Sequence, residues 1–124
     1  MNFTEQYLKK NIDKKIYDFI IDHIDSFEKL DIIKYFGLNP YSKIDMKTLE
    51  DITDCKKDKM IRAIKELTGG NIIKEVIQKK EILYKLSEDA NILECVKRFS
   101  SYYGNKSARL IILGYLLSKS IEKK

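Results

Sequence analysis

At 124 residues and 14.6 kDa the chain is long enough for one domain with its own core and too short for a multidomain enzyme. Apolar residues make up 44%, with 19 isoleucines among them, and 35% are charged, which excludes a disordered chain. The net charge of +5 and a pI near 9.1 permit an anionic partner without requiring one, so the placement of the charges has to decide.

Residues 1–10 already alternate polar and apolar positions, with Lys9 and Lys10 following Leu8, so no export signal is expected. The longest apolar run, residues 110–117, contains Gly114 and falls well short of the ~20 residues that cross a bilayer, so no membrane partner is expected. Cys55 and Cys95 stand 40 positions apart without a CxxC pair, and His23 is the single histidine. That composition predicts no metal site and no cofactor, and it suits a reducing, cytoplasmic location.

Residues 4–24 repeat apolar side chains at three and four positions (Leu8, Ile12, Ile16, Phe19, Ile20, Ile24), which predicts one amphipathic helix. Asp25, three before Glu28 in capping-box spacing, predicts the start of a second helix with the stripe Phe27, Leu30, Ile33 and Phe36, ending at Gly37. Pro40 marks a loop. Ile44 can supply a minimal strand, and Asp45 can cap a short helix over 46–53 that buries Leu49 and Ile52. A helix over 56–67 turns Met60, Ala63, Ile64 and Leu67 to one side and stops at Gly69-Gly70. Residues 71–77 and 81–86, rich in β-branched and aromatic side chains around a polar turn at 78–81, predict a β-hairpin. Ser87 is then expected to cap a helix through Ile92, Val96 and Phe99, and a last helix runs over 106–122.

The predicted fold class is therefore mainly α with a small β-hairpin. A short helix, a turn filled by Cys55, a second helix with one buried stripe and a basic hairpin follow the plan of a winged helix-turn-helix with additional N- and C-terminal helices. The expected division is an N-terminal helix over 1–25, a winged domain over 26–87 and C-terminal dimerisation helices over 88–124.

Charge follows the same plan. Residues 56–67 hold five basic side chains against two acidic ones, residues 74–85 hold four lysines against two glutamates, and residues 1–42 are slightly acidic. A helix of this kind fits the roughly 12 Å major groove, where side chains near its amino end reach base edges and the helix dipole favours phosphate. The candidate DNA-binding residues are Lys56, Lys57, Asp58, Lys59, Ile61, Arg62 and Lys65, with Lys79 and Lys80 at the hairpin tip meeting the phosphate backbone. Asp58 opposes phosphate unless it accepts a hydrogen bond from cytosine N4.

Leu49-Glu50-Asp51-Ile52-Thr53, Met60-Ile61-Arg62-Ala63-Ile64-Lys65-Glu66-Leu67 and Ile82-Leu83-Tyr84-Lys85-Leu86-Ser87 carry a resemblance to bacterial and archaeal winged-helix regulators of the MarR and ArsR type. Residues 24–33 resemble a group of bacterial winged-helix transcription regulators of unassigned role, and the likeness covers residues 24–118. It implies a three-helix core with a wing, dimerisation through the terminal helices, and binding of double-stranded DNA through residues 56–65 and the wing over 72–86. The sequence departs from that pattern at Ile61, where a small polar residue is usual, and Cys55 is alone where a metal sensor needs several thiols or histidines.

No Ser-His-Asp order with a glycine elbow and no glycine-rich phosphate loop is present, so a catalytic role is not expected. Cys55 and Cys95 read as core positions, and His23 as a surface or capping residue. Leu110, Ile111, Leu113, Leu117 and Ile121, with Tyr115 and Leu116, give the last helix an apolar girth wide enough for contacts on two sides, which predicts a homodimer. Tyr102, Tyr103 and Tyr115 read as part of that seam, with a ligand pocket as the other use. The expected function is transcription regulation through duplex DNA. The alternative is a protein-interaction module on the same scaffold, presenting Ile61, Ile77 or Leu83. The sequence names no effector.

Overall fold

Seven helices and one three-stranded antiparallel sheet make up the described residues, 3–53 and 55–122 of the computed structural model. In chain order they are α1 (Phe3–Asn11), α2 (Lys14–His23), α3 (Phe27–Leu38), β1 (Lys43–Ile44), α4 (Met46–Thr53), α5 (Lys57–Gly69), β2 (Ile73–Gln78), β3 (Glu81–Leu86), α6 (Ala90–Tyr103) and α7 (Lys106–Glu122). The chain is mainly α with a small hairpin, as its periodicity predicts. β1 joins that hairpin on the β3 side, giving the order β1-β3-β2. The run α3-β1-α4-α5-β2-β3 is consistent with the connectivity of a winged-helix scaffold.

The N-terminal segment corrects the sequence reading, because 4–24 is two helices and not one. The apolar repeat continues across the break, but Asp13 leaves helical geometry (φ −54°, ψ 136°) and its carboxylate accepts the Lys15 amide at 3.2 Å, capping α2. Asp13 also pairs with Arg98 of α6, tying the break to a distant helix. Three further caps and bounds differ. Ser26 caps α3, its hydroxyl accepting the Lys29 amide, where Asp25 was the expected cap. The helix continues through Gly37 to Leu38, with Asn39 as C-cap. Asp89 caps α6 through the Asn91 and Ile92 amides, while the Ser87 hydroxyl accepts the Asp89 amide one step earlier.

The core is one cluster running from Leu8 on α1 to Leu116 on α7. α3 is its centre, with Leu30, Ile32, Ile33 and Phe36 buried against α5 and α6. Leu49 of α4 joins it, but Ile52, expected inside, is 50% exposed because α4 ends after two turns and turns that side chain to solvent. Tyr103 and Tyr115, expected at a seam between copies, lie inside the core of the single chain. α7 turns Ala108, Ile112, Tyr115 and Leu116 inward and leaves Leu110, Leu117 and Ile121 exposed.

Gly37 lets α3 pack closely on α6, since a β-carbon there would stand 2.7 Å from Ser100 Cβ and 2.8 Å from its Oγ. Replacing Gly37 by Ala is expected to destabilise the protein by about 1–3 kcal/mol through overpacking, read as a lower urea midpoint at unchanged m-value. Ser100→Gly in the same chain should restore most of the loss.

Candidate nucleic-acid interface

The direction of α5 is fixed from behind. Met60, Ala63, Ile64 and Leu67 are buried, and the intervening Asp58, Lys59, Ile61, Arg62 and Lys65 are all exposed. Lys57 opens the helix and Lys56, expected as its first residue, is the N-cap, both exposed. The Lys56 side chain makes no capping hydrogen bond to the first amides of α5. Arg62 is 82% exposed, with its guanidinium 3.5 Å from Glu66 one turn on. Lys79 and Lys80 are exposed at the hairpin tip.

α5 passes into β2 through Gly70 and Asn71, the latter left-handed at φ 64°, with the Ile72 amide donating to Leu67 O at 3.0 Å. Ile73 and Leu86 are buried register partners that anchor the base of the hairpin. Its tip is a two-residue turn between the paired Gln78 and Glu81, and both central residues hold positive φ, Lys79 at 49° and Lys80 at 68°. Such turns ordinarily take Asn-Gly or Gly-Gly, because L side chains are strained there.

One structural element of this surface is absent from the sequence reading. Lys29 of α3, its side chain only 9% exposed, forms ion pairs with Asp25 Oδ1 at 2.9 Å and Glu66 Oε2 at 2.6 Å, clamping α3 to the outer flank of α5. Burial alone would lower the Lys29 pKa, but the bonds to Glu66 and Asp25 outweigh it and hold the ammonium above the ordinary lysine range. The bond from Lys29 holds Glu66 below the ordinary glutamate value. A depressed carboxylate stabilises the fold above its unfolded pKa and loses that contribution as pH falls through the folded one. A raised ammonium stabilises below the ordinary lysine value and is lost only above it. Urea unfolding from pH 7 down to 3 should show an acid loss of stability that Lys29→Met flattens. Identical acid limbs in the two proteins would exclude the clamp as its source.

Cys55 is half-buried against the core, its thiol 3.7 Å from Asp31 Oδ2 and 3.6 Å from Thr53 O. Burial raises its pKa, keeping the thiol protonated and a weak nucleophile. Cys95 also packs partly buried on the core. His23, expected at the surface or as a cap, is half-buried instead, with its ring 5.3 Å from that of Phe19 and its edge against Gly70. Among the described residues no group of three His, Cys, Asp or Glu side chains could hold a metal ion, and no helix is long and apolar enough to cross a membrane.

Comparison with protein-family models, with curated proteins and with solved structures finds no match for this chain. The functional reading therefore rests on the surface itself.

Proposed function

We propose that the protein is a cytoplasmic, non-catalytic transcription regulator that binds double-stranded DNA, with α5 in the major groove and the hairpin turn on the phosphate backbone. The observation that carries this reading is the position of the cations on α5. Lys56, Lys57 and Lys59 crowd the positive end of a helix dipole, where cations are unfavourable by roughly 0.3–1 kcal/mol each, around amides that the N-cap side chain leaves unbonded. α2 also opens on two lysines, but there Asp13 caps the helix, Lys14 pairs with Asp18 and Lys15 with Glu94, whereas no salt bridge among the described residues holds Lys56, Lys57 or Lys59. Strained lysines at the hairpin tip are a second position at which the sequence gives up stability for positive charge. Phosphate is the partner that offsets both.

A homodimer completes the reading. Leu110, Gly114, Leu117 and Ile121 form one row along α7 that carries no charge, and the three large side chains in it are exposed. A row of this kind is self-complementary about a two-fold axis, and a two-fold pair would set two copies of α5 on half-sites about 34 Å apart. Light scattering should give twice the 14.6 kDa chain mass, reverting to the monomer in Leu117→Glu.

A second reading has its own observation. Ile77 and Ile82 are cross-strand partners near the hairpin tip, 72% and 48% exposed, and with the exposed Ile61 they offer an apolar protein contact. Leu83 is only partly exposed. Fluorescence anisotropy of the full chain with random-sequence duplex across salt concentrations separates the two. A steep loss of affinity with salt supports DNA binding, and no binding at low salt supports the protein contact.

A further inference from the structure

A second basic cluster lies away from α5, on the outer face of the sheet. Register pairs Lys43 of β1 with Lys85 of β3, and Lys85 with Lys74 of β2, so each of the three strands contributes one lysine to a single row. Strands about 4.8 Å apart make the row roughly 10 Å wide. The next register pair, Ile73 with Leu86, is buried in the core, so the lysines face away from it. Like charges placed directly opposite one another destabilise a sheet, and here the arrangement occurs twice in succession.

One carboxylate pairs with the central lysine. Glu88 accepts a hydrogen bond from Lys85 Nζ at 2.6 Å while its side chain remains largely exposed. Lys85 first, then Lys74 and Lys43, hold its pKa below the ordinary glutamate value. Lys43, Lys85 and Glu88 also line a groove of about 460 Å³ whose other walls include Pro40, Tyr41, Ser87 and Leu93, with Lys74 on the far strand of the row beyond its lining. Tyr41 is 79% exposed, with Lys97 Nζ 5.8 Å from its ring centroid.

We propose that Lys43, Lys74 and Lys85 cradle the phosphoryl group of a small ligand whose flat apolar body lies on Tyr41 and Leu93, with Glu88 as the protein's own counter-ion that the phosphate displaces. A groove of this volume is in the range that small molecules fill. Lys74 is five residues from Lys79, roughly 17 Å along an extended strand, so the cradle sits at the base of the hairpin and its tip remains apart. Lysine ammonium groups bind phosphate as point charges and need no planar match, which suits a row built from three separate strands. The assignment stands independently of duplex binding.

The test is calorimetric titration of the full chain, without DNA, using inorganic pyrophosphate, adenosine 5′-monophosphate and ribose 5-phosphate. Pyrophosphate and both monophosphates are expected to bind, the adenosine compound about tenfold tighter than the sugar phosphate through contact with Tyr41. Glu88→Gln should raise all three affinities several-fold, and Lys85→Met should lower them at least about tenfold. If Lys85→Met fails to fold by circular dichroism, the exposed Lys43→Met and Lys74→Met pair takes its place. No binding to either the parent chain or Glu88→Gln overturns the proposal, as does affinity unchanged by loss of the lysines. Equal affinity for the adenosine and sugar phosphates overturns the assignment of Tyr41 and Leu93. Should the probes fail while loss of Lys43 and Lys74 weakens duplex binding, the row belongs to the nucleic-acid surface and the small-ligand site is refuted.

Discussion

Replacing Lys57, Lys59, Arg62 and Lys65 together by Gln is expected to abolish measurable binding to random-sequence duplex at physiological salt. Non-specific association at that salt ordinarily has a Kd of roughly 10⁻⁴–10⁻⁶ M, and each phosphate contact adds about 0.9 to the slope of log affinity against log salt. Four contacts would account for a slope change of about 3 to 4, the lower figure applying because Arg62 shares its charge with Glu66. The fold should survive, since all four side chains are exposed and Gln has a helix propensity close to theirs. Relief of the cations at the positive end of α5 should even raise the melting temperature slightly. Lys9→Gln with Lys10→Gln, compared with Lys57→Gln plus Lys59→Gln alone, serves as the control, removing two exposed charges from the opposite end of a different helix. An unchanged slope in the fourfold variant, or an equal drop in the control, would defeat the major-groove assignment. Asp58→Ala should tighten non-specific binding, because it removes the one acid from the first turn.

Much of this surface could be read from the chain because local rules agree there. α4, α5 and the hairpin each carry a single period, and Asp45 caps α4 through the Thr48 amide as its position predicts. Agreement between cap, period and turn makes such segments legible. The break at Asp13 was hidden for the opposite reason, since the apolar repeat passes through it undisturbed and the cap is one carboxylate. Asp25 and Ser26 compete for the same end of α3, and only the backbone path decides between them. Ile52 has the spacing of a buried residue on a helix too short to bury it. The clamp of Lys29 on Glu66 joins positions 37 apart, and nothing local to either announces the other. The lysine row was equally hidden, because Lys43, Lys74 and Lys85 become neighbours only when strand order and register are known. Tyr103 and Tyr115 lie in the chain's own core, a distinction the sequence does not carry, because aromatic residues at helical spacing look the same whether they face that core or another subunit.

Substituting Lys79→Asn with Lys80→Gly is expected to move stability and binding in opposite directions. Both lysines are left-handed, and for an L side chain that conformation costs roughly 1–2 kcal/mol. Asn-Gly fits the turn without strain, and glycine's extra freedom in the unfolded chain returns part of the gain, leaving a net increase of about 1 kcal/mol. That corresponds to a rise of a few degrees in melting temperature for a chain of this length. Duplex affinity should fall at the same time, with the salt slope reduced by about 1.8 for the two charges. Lys79→Gln with Lys80→Gln separates the causes, since it keeps the strained backbone and removes the charge. It should reproduce the binding loss without the stability gain. If Asn-Gly stabilises the protein and leaves the salt slope unchanged, the tip does not touch phosphate and α5 binds alone. If neither variant alters stability, the turn holds no strain, and the case that its lysines are kept for a partner is withdrawn.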